Sequence, residues 1–338
     1  MPKCGSQCVL CNIPIRIDSY EGCSHGCKYC FVFRKYDISK IKAGETVAAL
    51  KNFINGQRNQ ETAWCDWKIP LHWGGCSDPF QPIERTKGIS LEMLKLFAET
   101  KYPFVVSTKA ILPLEQPYFD LFKECNCVFQ CSMVAPSFCE KFEKGAPSFE
   151  QRLDMMKKMS EIVPRTVARC QPYVMEYHKE IMAQIPRLAE CGVYGITYEA
   201  IKMQNKVKGF EKNGADFVYP LEYLKPKFEE LKAECHKYGI KFLSGENRLR
   251  DMGDSLTCCG CEGLDGFEVN KANLNQLLFA PDDYKFTEKM EEKGTSHCFK
   301  GLYQKTGGHK LFQSCSYKEL MILYSKDKKA LKSLYGKQ

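Results

Sequence analysis

The sequence has no run of eighteen or more apolar residues, and its first residues, MPKCGSQCVLC, lack the apolar stretch of a secretory signal. These absences exclude a membrane as partner and predict a chain that stays in the cytoplasm. Of its 338 residues, 44% are hydrophobic and 27% are charged. This is an ordinary globular composition, with enough apolar residues to bury a large core.

Cysteine is frequent, with 20 residues, but too sparse for a disulfide scaffold in a chain that is too long to need one. In a reducing compartment the expected uses are metal ligation, catalysis and burial as a small hydrophobe. Abundant thiols also indicate a cell with little oxygen. We expect the cysteines that stand singly in helix-like or strand-like text to fill the core: Cys65, Cys125, Cys127, Cys139, Cys191 and Cys235.

Arginine is missing from residues 285–337, although this segment is rich in lysine and carries most of the net charge of +8. A basic segment of this kind can follow the phosphates of a nucleic acid, or it can be a solvated surface. No aromatic and arginine residues alternate with the lysines. Nucleic acid is therefore an open partner, but not a favoured one.

Short β-like runs alternate with helix-like runs over most of the chain, which predicts parallel strands joined by helical crossovers. About six repeats are visible, with a seventh over 240–246, so we expect an α/β partial (βα)6-type barrel. The barrel is assigned to residues 13–250. A cysteine-rich extension precedes it at 1–12, and a cysteine-containing, lysine-rich extension at 251–338 is expected to pack on it. Helix caps are predicted at Ser90 and, as a capping box, at Ser148 with Gln151.

In folds of this kind the chemistry lies at the C-terminal ends of the strands. The sequence meets this rule, because polar residues and cysteines follow the predicted strands one after another. In chain order they are Cys23, Cys27, Cys30, Gly74, Gly75, Cys76, Ser77, Asp78, Lys109, Ser132, Arg169, Glu199, Glu246 and Asn247.

The stretch YEGCSHGCKYCF places Cys23, Cys27 and Cys30 at C-x3-C-x2-C spacing, with no fourth cysteine. A structural zinc site needs four ligands, and a cubane iron–sulfur cluster has four corners. Three thiolates leave one iron open, and S-adenosylmethionine (SAM) can chelate an open iron through its amino and carboxylate groups. One electron from such a cluster splits the sulfonium and releases a deoxyadenosyl radical.

This motif resembles that of the radical SAM superfamily, with a [4Fe-4S] cluster and SAM as cofactors. Together with SDPFQPIE, VVSTKA and APSFEQRLDMMKKMSE it resembles the spore-photoproduct-lyase-like branch, over about Ile13–Glu199. The resemblance implies that Tyr29 lies beside the adenine. It also implies that the backbone of Gly74 and Gly75 approaches the methionine amino group. The carboxylate and amino groups would be held by Ser77, Lys109 and Ser132, and Arg169 would approach the carboxylate or ribose.

A second C-x3-C-x2-C stands at Cys4, Cys8 and Cys11, before the first strand, where this fold cannot carry the SAM cluster. TCCGCEG adds three more cysteines far along the chain. Together the two segments could bind a further cluster or a zinc ion, or they could be reduced thiols that pack one lobe. The C-terminal candidates for a fourth ligand are Cys258, Cys259 and Cys261.

The expected substrate is a small molecule rich in hydrogen-bonding groups, because carboxylates at the strand ends accept several hydrogen bonds each. These substrate-binding candidates are Asp78, Glu199, Glu246 and Asn247, while Cys76 is placed to give a hydrogen atom. SGENRLRDMGDSLTCCG resembles the queuine lyases, which cleave queuine to an aminomethyl deazaguanine base. The alternatives are a radical enzyme acting on DNA or RNA and a non-enzymatic iron–sulfur protein. A radical enzyme also needs a one-electron donor, such as flavodoxin or ferredoxin.

Overall fold

The computed structural model describes residues 2–4, 11–34, 37, 39–59, 62, 68–213 and 216–270. The strands of this part are β1 (Lys3–Cys4), β2 (Ile15–Ile17), β3 (Tyr20–Glu21), β4 (Lys42–Ala43), β5 (Leu71–Trp73), β6 (Phe104–Thr108), β7 (Cys127–Ser132), β8 (Arg165–Tyr173), β9 (Gly195–Ala200), β10 (Glu211–Asn213), β11 (Asp216–Val218) and β12 (Lys241–Ser244). The α-helices are α1 (Thr46–Ile54), α2 (Glu84–Lys87), α3 (Ile89–Thr100), α4 (Tyr118–Lys123), α5 (Pro136–Phe142), α6 (Phe149–Ser160), α7 (His178–Glu190) and α8 (Leu221–Lys237).

The main sheet has the order β1-β2-β5-β6-β7-β8-β9-β12. β1 is antiparallel to β2, and every later pair is parallel. Seven parallel strands with helical crossovers confirm the predicted α/β partial barrel, including the seventh strand. The small pairs β3–β4 and β10–β11 lie outside this sheet.

The two faces of the sheet bury different partners. On the outer face, strand residues such as Trp73, Phe104 and Phe129 join the apolar sides of the helices in one large core. On the inner face, Val105 and Val128 pack with residues from both ends of the described chain. Because successive side chains of a strand point to opposite faces, every second residue after these valines also lies on the inner face. Toward the C-terminal ends of the strands, these inner-face residues are polar. These polar residues form the candidate site.

The structure confirms one of the two predicted helix caps. Ser148 and Gln151 form the predicted capping box of α6. Ser90, however, lies inside α3, and the predicted cap there is wrong. The buried Glu84 carboxylate accepts from the backbone N–H groups of Ser90 and Leu91, at 2.8 Å each, and so takes the role of the cap. A glutamate six residues away in the chain is not a local capping signal.

Some predicted features lie outside the described residues. These are Cys8, Cys65 and the lysine-rich segment 285–337. The division into residues 1–12, 13–250 and 251–338 therefore stays a prediction. Within the described part of the chain, no helix is both long and apolar enough to cross a bilayer.

Candidate active site at the carboxyl edge of the sheet

The loop with Cys23, Cys27 and Cys30 follows β3 and leaves all three thiols half-buried. His25, between the first two cysteines, fixes the loop from inside. One ring nitrogen lies 3.0 Å from the Gly145 carbonyl, and the other lies 3.0 Å from Oδ2 of Asp78. The chain therefore holds the loop at the carboxyl edge of the sheet by contacts across the fold.

Asp78 binds this loop through a fully used carboxylate. Besides His25, it accepts from Thr108 Oγ1 at 2.8 Å and from the backbone N–H groups of Phe80 and Lys109, at 2.9 and 2.7 Å. Burial alone would raise the pKa of Asp78, but His25 and these N–H groups lower it to about 2. Through these contacts Asp78 positions the cysteine loop, while its predicted substrate contact stays a prediction.

Two thiols of the cysteine loop, those of Cys23 and Cys27, have raised pKa values. Burial, with a contribution from Asp78, raises the pKa of Cys23 to about 12. Burial also raises the pKa of Cys27, although the ammonium of Lys109 opposes this shift. Thiols of this kind lose their protons when a metal binds. Among the described residues, no three His, Cys, Asp or Glu side chains already converge as ligands of one ion.

A buried cluster of charges lies next to the cysteine loop, at the ends of β6 and β7. Lys109 donates from Nζ to Ser132 Oγ at 3.1 Å, and its Nζ is 3.8 Å from Oε1 of Glu143. Burial would lower the pKa of Lys109, but Glu143 and Cys27 outweigh it and raise the pKa. Lys109 is therefore a charged ammonium beside the cysteines. A SAM carboxylate would require such a cation and a hydroxyl donor.

Glu143 and Arg152 complete this cluster, and the sequence analysis did not find them. Arg152 pairs with Glu143 at 2.5 Å and donates to the carbonyls of Ser132 and Pro147, at 2.9 Å each. Tyr29 donates its hydroxyl hydrogen to the same Glu143. One feature could have indicated that Arg152 has an acidic partner. Arg152 stands on the buried face of α6, where an arginine needs a buried partner.

Gly74 allows the segment after β5 to approach β6 closely, behind the cysteine loop. Its φ is +83°, and a Cβ there would lie 2.4 Å from the Ser107 carbonyl oxygen. Gly75 is less constrained, since a Cβ there would lie 3.2 Å from Arg16 Cδ. The fold itself therefore requires glycine at 74, whether or not a ligand approaches its backbone.

Ser77 and Cys76 follow these glycines. The buried Ser77 hydroxyl donates to the Gly22 carbonyl at 2.6 Å and accepts from Gln81 at 3.0 Å, so it supports the cysteine loop. Its predicted SAM contact stays a prediction. The thiol of Cys76 is half-buried and hydrogen-bonds Arg16 on the inner face. Its predicted role as hydrogen-atom donor stays a prediction.

Arg169 lies on the inner face and begins a chain of polar contacts. It donates to Ser107 Oγ at 2.7 Å and to Gln171 Oε1 at 2.5 Å, and Gln171 donates to Glu199 at 2.6 Å. The other Glu199 oxygen pairs with Lys202. The structure thus connects two predicted residues, Arg169 and Glu199, through Gln171, which sequence reasoning missed.

Gly245, which precedes Glu246, packs closely against Glu199, since a Cβ there would lie 3.1 Å from the Glu199 Cβ. Glu199 and Glu246 both lie near Lys202 and raise its pKa. One Glu246 oxygen accepts from Arg248 Nε at 3.1 Å, while the other is buried without a partner among the described residues. Asn247 accepts from Arg250 at 2.9 Å. The ends of β8, β9 and β12 therefore form a polar group with carboxylates, which can bind the donor groups of a ligand.

The second cysteine group is also brought together from distant parts of the chain. Cys11 packs with Cys258, Cys259 and Cys261 under the inner face of the sheet. The side chain of Cys4 and the whole of Cys8 lie outside the described residues.

Comparisons with known proteins bear mainly on the fold. No family model matches the chain. An uncharacterized protein of Methanocaldococcus jannaschii is 26% identical over 152 residues, which are 43% of this chain and 54% of that protein. The chain thus matches only about half the length of this curated relative.

Two solved structures share the architecture. Spore photoproduct lyase complexed with dinucleoside spore photoproduct is 17% identical, with a TM-score of 0.50 over 67% of this chain and 73% of that one. A mutant of the same lyase, with bound AdoMet and dinucleoside spore photoproduct, is 16% identical, with the same TM-score and the same coverage. The chain therefore has the fold of spore photoproduct lyase, as its motifs predict.

Proposed function

We propose that the chain is a radical SAM enzyme that acts on a small, hydrogen-bond-rich substrate. One observation carries this proposal: the three-cysteine loop and the charged Lys109 meet at the same edge of the sheet, with Cys27 next to the ammonium. A cluster held by three thiolates and a cation for the SAM carboxylate are thus placed side by side. The likeness in fold to a lyase that has been solved with bound AdoMet supports the same reading.

The cysteine loop fits a [4Fe-4S] cluster in its donor chemistry. Cys23, Cys27 and Cys30 would supply the soft thiolates that iron–sulfur clusters require, and all three are partly exposed. When it is bound, the cluster supplies the electron that splits SAM into methionine and a deoxyadenosyl radical. Flavodoxin or ferredoxin is the class of partner that would deliver this electron.

We assign the SAM contacts to the charge cluster and to its neighbours. Lys109 and Ser132 would bind the carboxylate, and Glu143 would hold Lys109 in place. Tyr29, whose ring lies 5.8 Å from the Lys109 Nζ, would flank the adenine. Arg169, from the inner face, would approach the carboxylate or ribose. Ser77 and Asp78 would act indirectly, by fixing the cysteine loop.

The substrate would lie toward the ends of β8, β9 and β12. Glu199 and Glu246 would accept hydrogen bonds from donor groups of the substrate, and Gln171 and Lys202 would hold Glu199. Such acceptors suit an amine, a diol or the amide edge of a guanine-like base. Our specific proposal is cleavage of the C–N bond of queuine after loss of a hydrogen atom beside it, which leaves the cyclopentene ring with one more double bond and a radical on the nitrogen. Cys76 would give a hydrogen atom to this nitrogen and so release the aminomethyl deazaguanine base. One electron from the flavodoxin- or ferredoxin-type donor and one proton would then restore the Cys76 thiol.

A nucleic-acid substrate is the second candidate. The fold is shared with a lyase that binds a dinucleoside photoproduct, and the net charge of +8 would favour a polyanion. A non-enzymatic iron–sulfur protein is a weaker alternative, because the buried ion cluster around Lys109 has no evident use in it.

The test is release of deoxyadenosine by the anaerobically reconstituted chain with SAM and dithionite. Adding queuine should raise the rate about tenfold or more, since bound substrate uses its binding energy to favour the reaction. The aminomethyl deazaguanine base should form in parallel with deoxyadenosine. No effect of queuine would refute that substrate, and stimulation by irradiated DNA or by RNA would favour the second candidate. Absence of deoxyadenosine under all conditions would leave the non-enzymatic alternative.

A further inference from the structure

The second cysteine group joins two segments that lie far apart in sequence. The backbone N–H of Asn270 donates to the Asn12 carbonyl at 2.6 Å, and its side-chain amide donates to the Cys11 carbonyl at 3.4 Å. From the other side, Thr197 donates to the Cys258 carbonyl at 2.6 Å, and Gln130 donates to that of Cys259 at 3.0 Å. The fold thus fixes both cysteine segments against the inner face, away from the cysteine loop at 22–30.

The spacing of two sulfurs matches the edge of a tetrahedral metal site. The Sγ atoms of Cys258 and Cys259 are 3.8 Å apart. Two thiolates on one tetrahedral zinc ion, with Zn–S bonds of about 2.3 Å, are separated by about 3.8 Å. In a cubane cluster each thiolate binds a different iron, so the sulfurs lie farther apart. The 3.8 Å separation is that of an S–H···S hydrogen bond between the two thiols, and it is also compatible with two thiolates on one metal ion.

The charges around the group also suit a metal centre with a net negative charge. Arg250 lies near the Cys258 thiol and near Cys11, and Arg16 lies near Cys11 as well. The Nε atoms of both arginines are buried and have no hydrogen-bond partner within the described ranges. Zinc with four thiolates carries two negative charges, which two guanidinium groups would balance, and their N–H groups could donate to the sulfurs.

We propose that Cys11, Cys258, Cys259 and Cys261 bind one zinc ion that ties the N-terminal segment to the barrel. Binding replaces four thiol protons with one Zn²⁺, so four protons are released and no electron is transferred. Among the described residues no three of these thiols already converge on one point, so Cys11 and Cys261 would have to approach the Cys258–Cys259 pair when the ion binds. This site is independent of the SAM chemistry proposed above, so either proposal can be refuted without the other.

Metal analysis of the anaerobically purified chain tests the site. We expect about one zinc per chain in addition to the iron. Cys258→Ser and Cys261→Ser should each lower the zinc about tenfold or more, because an open coordination shell exchanges its metal. Iron bound through Cys27 and its neighbours should stay unchanged. Cys191→Ser, at a buried cysteine near the end of α7, is the matched control and should keep its zinc.

A second measurement does not depend on the folding of the variants. Zinc is removed from the wild-type chain with a chelator and replaced by Co²⁺. Four thiolates should give the intense thiolate-to-cobalt absorption of a tetrahedral site, and readdition of zinc should abolish it. Three results would overturn the proposal: a weak octahedral cobalt spectrum, zinc that persists in Cys258→Ser, or no zinc together with about eight irons per chain, which would indicate a second cluster.

Discussion

Cys27→Ala is expected to lower the formation of deoxyadenosine from SAM by about three orders of magnitude or more, because the cluster that supplies the electron loses one of its three ligands. Cys27 is the cysteine that lies next to Lys109. Its loss therefore removes a cluster ligand at the point where SAM would bind. The measurement is deoxyadenosine by chromatography after anaerobic reconstitution, with iron determined on the same sample.

The control for this prediction is Cys125→Ala. Cys125 is a buried thiol of the large core, 4% exposed, and it packs away from the cysteine loop. Its replacement removes a sulfur from a more deeply buried place than that of Cys27, and both iron and deoxyadenosine should persist. Equal activity of Cys27→Ala and the wild-type chain would refute the proposed cluster site, whereas equal loss in both variants would indicate general unfolding.

The second large effect is expected from Arg152→Met, which should lower the free energy of unfolding by about 3–5 kcal/mol, because removal of one partner of a buried ion pair leaves the other uncompensated. Arg152 and Glu143 are both essentially inaccessible, with side chains 1% and 0% exposed. Lys109 stays near Glu143, but at 3.8 Å it makes a weaker contact than the lost guanidinium. Denaturant unfolding under anaerobic conditions measures the change.

A matched surface pair gives the comparison. Arg187 pairs with Glu150 at 2.6 Å, with side chains 39% and 66% exposed, so Arg187→Met should cost less than about 1 kcal/mol. Arg152→Met should also raise the KM for SAM, since Glu143 would be free to draw Lys109 away from Ser132. A loss of stability no larger than that of Arg187→Met would contradict the account of the charge cluster.

Local patterns in the sequence predicted the architecture well. Parallel strands that are buried on both faces read as short apolar runs, and the alternation with helices fixed their direction, so all seven strands of the parallel sheet could be found. The same reasoning placed the site at the carboxyl edge, because parallel strands bring their ends together. The sequence left open whether Cys11 and the segment 258–261 share a metal site or only pack as reduced thiols, and the structure brings the two segments together without deciding between these alternatives.

The partners of each side chain could not be predicted in the same way. The predicted ligand contacts of Asp78 and Ser77 stay predictions, but their partners His25 and Gly22 in the cysteine loop, more than fifty residues away in the chain, could not be predicted. Glu143 is far from Lys109 in sequence, and no local pattern links the two. Contacts between distant segments depend on the packing of the whole fold, which a single sequence does not display.

The most direct test of the account is the electron paramagnetic resonance spectrum of the reduced, iron-loaded chain before and after SAM is added. We predict that SAM shifts the signal, because it binds the iron that the three cysteines leave open. The Cys125→Ala control should shift in the same way. A spectrum that does not change at saturating SAM, with about four irons bound per chain, would contradict the central claim.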